Sequence, residues 1–315
     1  MSATLRHFSS EEVHAALDFA ALVEALRAQF ASEAIAPVRS SHAVTPAGDR
    51  LLLMPAWDGV SLGVKIVTVF PGNRARGVPS VAALYVLMDG VTGHPVALID
   101  GEPLTLRRTG AASALASSML SREDAAHLVI VGTGALAPYM AEAHCAVRGI
   151  ERISVWGRTP AHVERTVDTL VAQGLPARAT ASLQRALADA DIVSCATTAR
   201  EPLVFSADVR DGTHVDLVGA FTPDMRESDD ALVARASLFV DTFAGALKEG
   251  GDLVQPMSRG VITRESIRAE LAELVTGAHP GRRTRDEVTL FKSVGTGVED
   301  LCAARLVAQR LLRDR

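Results

Sequence analysis

The hydrophobic rhythm of this chain changes twice. Over residues 10–36 apolar side chains recur at helical spacing, Leu22, Val23, Leu26 and Phe30 among them, behind a Ser9/Ser10–Glu11/Glu12 start that resembles a cap, so one helix is predicted there. From Val38 to about Gly101, short runs rich in Val, Leu and Ile (51–54, 62–69, 81–88, 95–99) alternate with turn signals such as Asp58-Gly59, Pro71-Gly72-Asn73, Asp89-Gly90 and Thr92-Gly93. That pattern predicts a mostly antiparallel sheet. An Ala/Ser/Leu-rich helix over 103–120 leads out of it. From His127 strand and helix alternate, with strands near 128–132, 152–156, 191–195, 214–219 and 238–241 and helices at 136–149, 160–173 and 182–189. This is the signature of a doubly wound parallel sheet of Rossmann type. A last amphipathic helix, 297–312, is expected to return to the first domain. The fold class is therefore α/β: residues 121–296 form the Rossmann domain, and residues 1–120 with 297–315 form an α+β domain.

The first strand of the second domain runs into Gly132-Thr133-Gly134-Ala135-Leu136-Ala137 and then into a helix. In such a turn the first glycine permits the tight bend and the second lets a pyrophosphate approach the backbone. The small third residue allows close helix–strand packing, and the helix N-terminus offers N–H donors to an anion. The motif predicts a dinucleotide. The next strand ends Trp156-Gly157-Arg158-Thr159, without the acid that would bond a ribose 2′-hydroxyl. Arg158 is either a solvated loop residue or a bidentate partner for a 2′-phosphate, and the second reading favours NADPH over NADH. A third apolar run ends in Thr197-Thr198, small residues where a dinucleotide would cross the sheet edge.

Composition narrows the classes. A net charge of −5 gives no electrostatic footprint for nucleic acid. The three cysteines (145, 195, 302) are scattered and suit a reducing cytoplasm. The N-terminus lacks an apolar signal-type segment and no run reaches membrane-spanning length, so a soluble cytoplasmic protein is expected. The histidines show no metal-ligand spacing, so no metal site is expected.

Several charged residues of the first domain sit among apolar neighbours. Lys65 follows Leu62 and Val64 and precedes Ile66 and Val67; alternation leaves it either snorkelling to solvent or pointing into a site. Arg39, His42 and the Arg107-Arg108 pair are as ambiguous singly, but together two guanidiniums and one ammonium suit a small carboxylate. A lysine between arginines is also expected to have a lowered pKa by like-charge repulsion.

The segments GVKIVTVFPGN, GVPSVAALYVLMDGVTGHPVALIDGEPLTLRRTGAASALAS, VIVGTGALA, VWGRT and TLFKSVGTGVEDLCAARL together resemble the ornithine cyclodeaminase/mu-crystallin family over nearly the whole chain. Its members include cyclodeaminases, alanine dehydrogenases, opine-type synthases and ketimine reductases. The resemblance implies that Lys65 stands near substrate and nicotinamide, that Arg39 and Arg108 hold the substrate carboxylate, with Arg107 ranked lower, and that the chain forms a homodimer through the first domain's sheet. It also implies that Gly132, Gly134 and Ala137 form the pyrophosphate turn and that Thr197 and Ser293-Val294-Gly295-Thr296 line the nicotinamide end. Phe221 stands where the cyclodeaminases resemble one another in an aspartate, and Asp224 lies three residues on. His42 and the Met54-Pro55-Ala56-Trp57 run resemble the bacterial ketimine reductases. The activity implied is NAD(P)H-dependent reduction of Δ1-pyrroline-2-carboxylate or its six-membered homologue, a small cyclic imino acid, to L-proline or L-pipecolate, with Lys65 as proton donor. The alternatives are alanine dehydrogenase-type reductive amination, ornithine cyclodeaminase, and a non-catalytic NADPH- and ligand-binding protein like mu-crystallin.

Overall fold

The computed structural model describes residues 5–312. They form two units, one comprising the chain up to Thr109 and from Thr296 onward, the other Gly110–Gly295. The first unit holds β1 (Arg6–Phe8), α1 (Ser10–Ala16), α2 (Phe19–Phe30), β2 (Ser40–Ala43), β3 (Arg50–Trp57), β4 (Ser61–Val69), β5 (Val81–Asp89), β6 (Pro95–Asp100) and the start of α3 (Gly101–Leu120). Its six strands are ordered β1-β6-β5-β4-β3-β2, antiparallel except for the parallel β1–β6 pair. Alternation divides the sheet cleanly, as the pleat requires. Met54, Ala56, Gly63, Lys65, Tyr85, Leu87, Ala97 and Ile99 are buried on one face, while Leu53, Pro55, Val64, Ile66, Leu84, Val86 and Leu98 are half-buried on the other.

Two expectations change here. The single helix over 10–36 is two, because Asp18 interrupts it: its side chain accepts from the Ala21 N–H and starts α2 afresh, while Ser9 and Glu12 form a capping box for α1. The domain boundary falls inside α3 rather than after Leu120, because Ser113 already bonds Asp216 of the second unit at 2.9 Å.

The second unit continues with β7 (His127–Val131), α4 (Ala137–Val147), β8 (Arg152–Trp156), α5 (Pro160–Ala172), β9 (Ala177–Ala179), α6 (Leu183–Ala188), β10 (Ile192–Cys195), β11 (His214–Leu217), α7 (Asp230–Arg235), β12 (Ser237–Val240), α8 (Phe243–Glu249), α9 (Gly251–Ser258), β13 (Ile267–Glu270), α10 (Leu271–Val275) and β14 (Thr289–Lys292). All neighbouring strands run parallel, in the order β13-β12-β14-β11-β10-β7-β8-β9. β7, β10, β11, β12 and β14 are buried at every position, as strands covered on both faces must be. β7 lies between β8 and β10, so the strand order reverses there and leaves a switch point at the carboxyl ends. The last helix, α11 (Gly297–Leu312), belongs to the first unit and packs on α2, β3, β4 and β5.

Close packing on the buried face of the first sheet singles out Gly63. A Cβ there would lie 2.2 Å from the Tyr85 hydroxyl oxygen and 2.6 Å from its ring. Gly63→Ala is therefore expected to destabilise the protein by about 1–3 kcal/mol in chemical denaturation, and adding Tyr85→Phe should return part of that loss.

Candidate active site

Lys65 lies on the buried face of β4, 2% exposed, and pairs in register with Met54 of β3 and Tyr85 of β5. An ammonium withdrawn from water needs an anion, and α11 brings one. Lys65 Nζ donates to Asp300 Oδ1 at 2.8 Å, and the same oxygen is 2.9 Å from Arg108 Nε. Glu299, the preceding residue, accepts from Arg108 Nη1. Both acids sit in the first turn of α11 and are fully buried. Gly297 makes the approach possible, because a Cβ there would come within 2.7 Å of the Pro55 carbonyl oxygen on β3.

Burial lowers the Lys65 pKa from its usual 10.5 to about 8; the Arg108 charge adds to the lowering, Asp300 opposes it, and Arg39 lowers it further. The direction is the one expected from the sequence, but desolvation is the leading cause and the arginines come second. Tyr85 carries a phenol pushed well above its ordinary pKa, by burial first and then by the charges of Asp300 and Asp58. It is neutral at any working pH.

The remaining first-unit candidates separate. Arg39 is half-buried just ahead of β2 and is felt by Lys65. His42 is exposed on β2, its Nε2 3.3 Å from Ser40 Oγ, and no contact brings it to Lys65 among the described residues. Arg107 turns the other way from Arg108, its guanidinium 4.8 Å over the Phe19 ring. Thr296 is buried at the entry to α11.

In the second unit, Gly132 follows β7 with φ of +117°, and a Cβ there would also lie 2.8 Å from the Ala196 carbonyl oxygen. Gly134 is the opposite case, with nothing within 4 Å of where a Cβ would be. Ala137 is buried at the start of α4, whose N-terminus has no side-chain cap. Thr133 is half-buried and closes on Gly157, while Ala135 is exposed and Leu136 half-buried beside it. Open space above Gly134 and uncapped N–H groups fit the pyrophosphate of a dinucleotide. Arg158 and Thr159 are exposed just beyond β8, where the adenosine ribose of such a ligand would reach.

Buried acids fix the neighbouring loops. Glu227 Oε1 accepts from Thr197 N at 2.7 Å and Thr197 Oγ1 at 2.8 Å, and its Oε2 accepts from Gly219 N at 2.8 Å. This joins the loop after β10 to the loop after β11. Burial raises the Glu227 pKa from 4.5 to about 7, against the pull of Lys292 and with the push of Asp252. Asp252 in turn accepts from Glu227 N and Ser228 N and lies 3.2 Å from Lys292 Nζ. Asp241 Oδ2 accepts from Val294 N at 2.8 Å and Gly295 N at 2.7 Å. Thr197 and Gly295 are thus each held by a buried carboxylate, whereas Thr198 and Phe221 are exposed. Among the described residues no group of three or more His, Cys, Asp or Glu side chains is arranged for a metal ion.

The model of the ornithine cyclodeaminase/mu-crystallin family matches residues 5–315. The chain belongs to that family. It is 42% identical to a Δ1-pyrroline-2-carboxylate reductase of Paracoccus denitrificans over 289 residues, 91% of each chain. A solved structure of the Δ1-pyrroline-2-carboxylate reductase of Thermococcus litoralis, in complex with NADH and L-proline, superimposes with a TM-score of 0.94 at 36% identity, covering 98% of both chains. An archaeal alanine dehydrogenase dimer with bound NAD gives 0.92 at 27% identity, over 98% of this chain and 97% of that one.

Within the family frame, the residues that sequence reasoning missed are the acids: Glu299, Asp300, Glu227 and Asp241. The available signal was Glu299-Asp300 set among apolar and small residues from Gly297 to Ala304. Acids in a first helical turn are ordinarily solvated partners of the dipole, which hid them. For Glu227 the test is direct. Glu227→Ala leaves the buried Gly219 N–H without its acceptor and is expected to cost about 1–3 kcal/mol of stability in chemical denaturation.

Proposed function

We propose that this protein reduces a cyclic ketimine carboxylate, Δ1-pyrroline-2-carboxylate or its six-membered homologue, to the corresponding L-amino acid, with NADPH preferred over NADH. The observation that carries this reading is the buried Lys65–Asp300–Arg108 cluster. It sets a lysine able to lose its proton near pH 8 beside guanidiniums suited to a carboxylate. The likeness to reductases of this class over nine-tenths of the chain supports it, as does Phe221 at the position where cyclodeaminases resemble one another in an aspartate.

The Gly132–Leu136 turn would hold the cofactor's pyrophosphate, Arg158 and Thr159 its 2′-phosphorylated ribose, and Thr197, Thr198 and Gly295 its nicotinamide end. A bound reduced nicotinamide supplies the hydride. Arg39 and Arg108 hold the substrate carboxylate, and Glu299 and Asp300 fix the orientation of the Arg108 fork. Lys65 gives the ring nitrogen the proton required as the C=N pair closes onto it, and is reprotonated from solvent. The half-buried apolar face of the first sheet, with Val64, Ile66, Leu84 and Val86 at its centre, supports a homodimer through that face. Three free cysteines among the described residues fit a reducing cytoplasm.

Steady-state kinetics with each cyclic imine and each cofactor test the reading. The expected result is turnover of at least one imine, faster with NADPH. Lys65→Met should lower kcat by about 10²–10⁴-fold with cofactor binding retained. Because the ammonium is the working form, wild-type kcat should fall as pH rises through about 8. Faster turnover of pyruvate with ammonia would contradict the proposal in favour of reductive amination, and tight NADPH binding without turnover would favour a binding protein. Ile66→Asp is expected to convert the dimer to a monomer in light scattering.

A further inference from the structure

We propose that Asp300 is the positioning residue of this reaction: its carboxylate holds Lys65 as a charged ammonium alongside the arginine that receives the substrate carboxylate, a task that Glu299 does not share. The proposal rests on the reductase reading above. One carboxylate oxygen does both jobs, since Asp300 Oδ1 is 2.8 Å from Lys65 Nζ and 2.9 Å from Arg108 Nε. Glu299 is adjacent in sequence, and its carboxylate pairs with Arg108 Nη1. Both neighbouring acids thus reach Arg108, and Asp300 is the one that also bonds Lys65.

The use of lysine in this chain gives the pairing its meaning. Only three of the thirty-two basic residues are lysines, Lys65, Lys248 and Lys292. Elsewhere the chain uses arginine, which keeps its proton in proteins. A lysine retained at a fully buried position is the one cation there that can give up a proton. The same property makes it vulnerable, because a buried lysine beside other cations loses its charge readily.

The groups facing Lys65 are few. β3 presents Met54 and β5 presents Tyr85, both uncharged in the working range. Arg108 comes from α3 and Arg39 from the segment before β2, and both push the proton off. α11 presents Glu299 and Asp300, and of these Asp300 is the acid bonded to Nζ. Counting all five charged groups as ionised, three cations face two anions, and the single excess charge matches one substrate carboxylate. In the transfer, one Lys65 N–H bond breaks and the N–H bond of the ring nitrogen forms; Lys65 is left as a neutral amine until solvent returns a proton.

The sign of the effect follows. Asp300 favours the protonated form of Lys65, so its removal lowers the Lys65 pKa, and the alkaline fall in kcat moves to lower pH. The experiment compares wild type, Asp300→Asn and Glu299→Gln of the full chain in two measurements. One is the pH profile of kcat with Δ1-pyrroline-2-carboxylate and NADPH. The other is the titration of ¹³Cε-labelled lysines by NMR, where Lys65→Met assigns the Lys65 signal among three. In Asp300→Asn both the kinetic limb and the Lys65 midpoint should move down by about one pH unit or more. In Glu299→Gln both should stay in place while KM for the imine rises about tenfold. Asp300→Glu, which keeps the charge, should restore the limb toward wild type. Asp300→Ser carries the same test if the amide is not accommodated in the fold. A Lys65 midpoint unmoved by loss of the Asp300 charge overturns the proposal, even if activity falls. A wild type that leaves the imine unreduced, with the Lys65 midpoint still moving in Asp300→Asn, overturns the reductase reading and leaves the pairing of Asp300 with Lys65 standing.

Discussion

Two cations buried side by side impose the constraint on which the first unit depends. Lys65 is 2% exposed and Arg108 5%, and taking either out of water costs several kcal/mol before any partner is found. The cost is offset only where acids are buried with them, and those acids are Asp300 and Glu299 at the entry to α11. Much of the local architecture follows. The last helix must return to the first sheet, its first turn must press onto β3, and Gly297 must be a glycine to allow it. The last helix is therefore part of the chemistry proposed for the site as well as of the packing of the first unit.

The second unit solves a similar problem for a different purpose. Glu227, Asp252 and Lys292 are all fully buried; the two acids accept from backbone N–H groups of the loops after β10 and β11, and Lys292 pairs with Asp252. Gly219 is the close-packed partner of that arrangement, since a Cβ there would lie 2.0 Å from the Thr197 carbonyl oxygen. Rigid strand ends at a switch point are what a dinucleotide site needs, because orientation of the ligand is inherited from the loops that carry it. The glycine turn supplies space and N–H donors, and the buried acids supply stiffness.

The fold was legible wherever the apolar pattern is continuous or alternates regularly. Runs such as Leu128–Val131 and Ile192–Cys195 are buried on both faces and read as continuous apolar strands, and the alternating β3–β5 runs read as one face in and one face out. The strands β9 and β13, at the two edges of the parallel sheet, and β14 were missed: Ala177–Ala179 is only three residues long, and Ile267–Glu270 and Thr289–Lys292 mix apolar with charged or polar residues. The break between α1 and α2 depended on a single capping aspartate, Asp18. In the site, local chemistry was readable and long-range pairing was not. The Gly132–Ala137 turn could be read as one motif because all its residues are contiguous. Spacing alone does not separate Arg107 from Arg108, yet they project from different sides of α3, one to Phe19 and the other to the acids. No pattern links Asp300 to Lys65, 235 residues away; only the fold brings the charge and its partner together.

The central claim is that the buried cluster serves hydride addition to a C=N bond with a proton delivered to nitrogen. The most direct measurement is mass spectrometry and chiral analysis of the product formed from Δ1-pyrroline-2-carboxylate and NADPH carrying deuterium at the transferable C4 position, in ordinary water. The account predicts one deuterium at C2 of L-proline. Proline without deuterium, a racemic product, or no proline at all would contradict it.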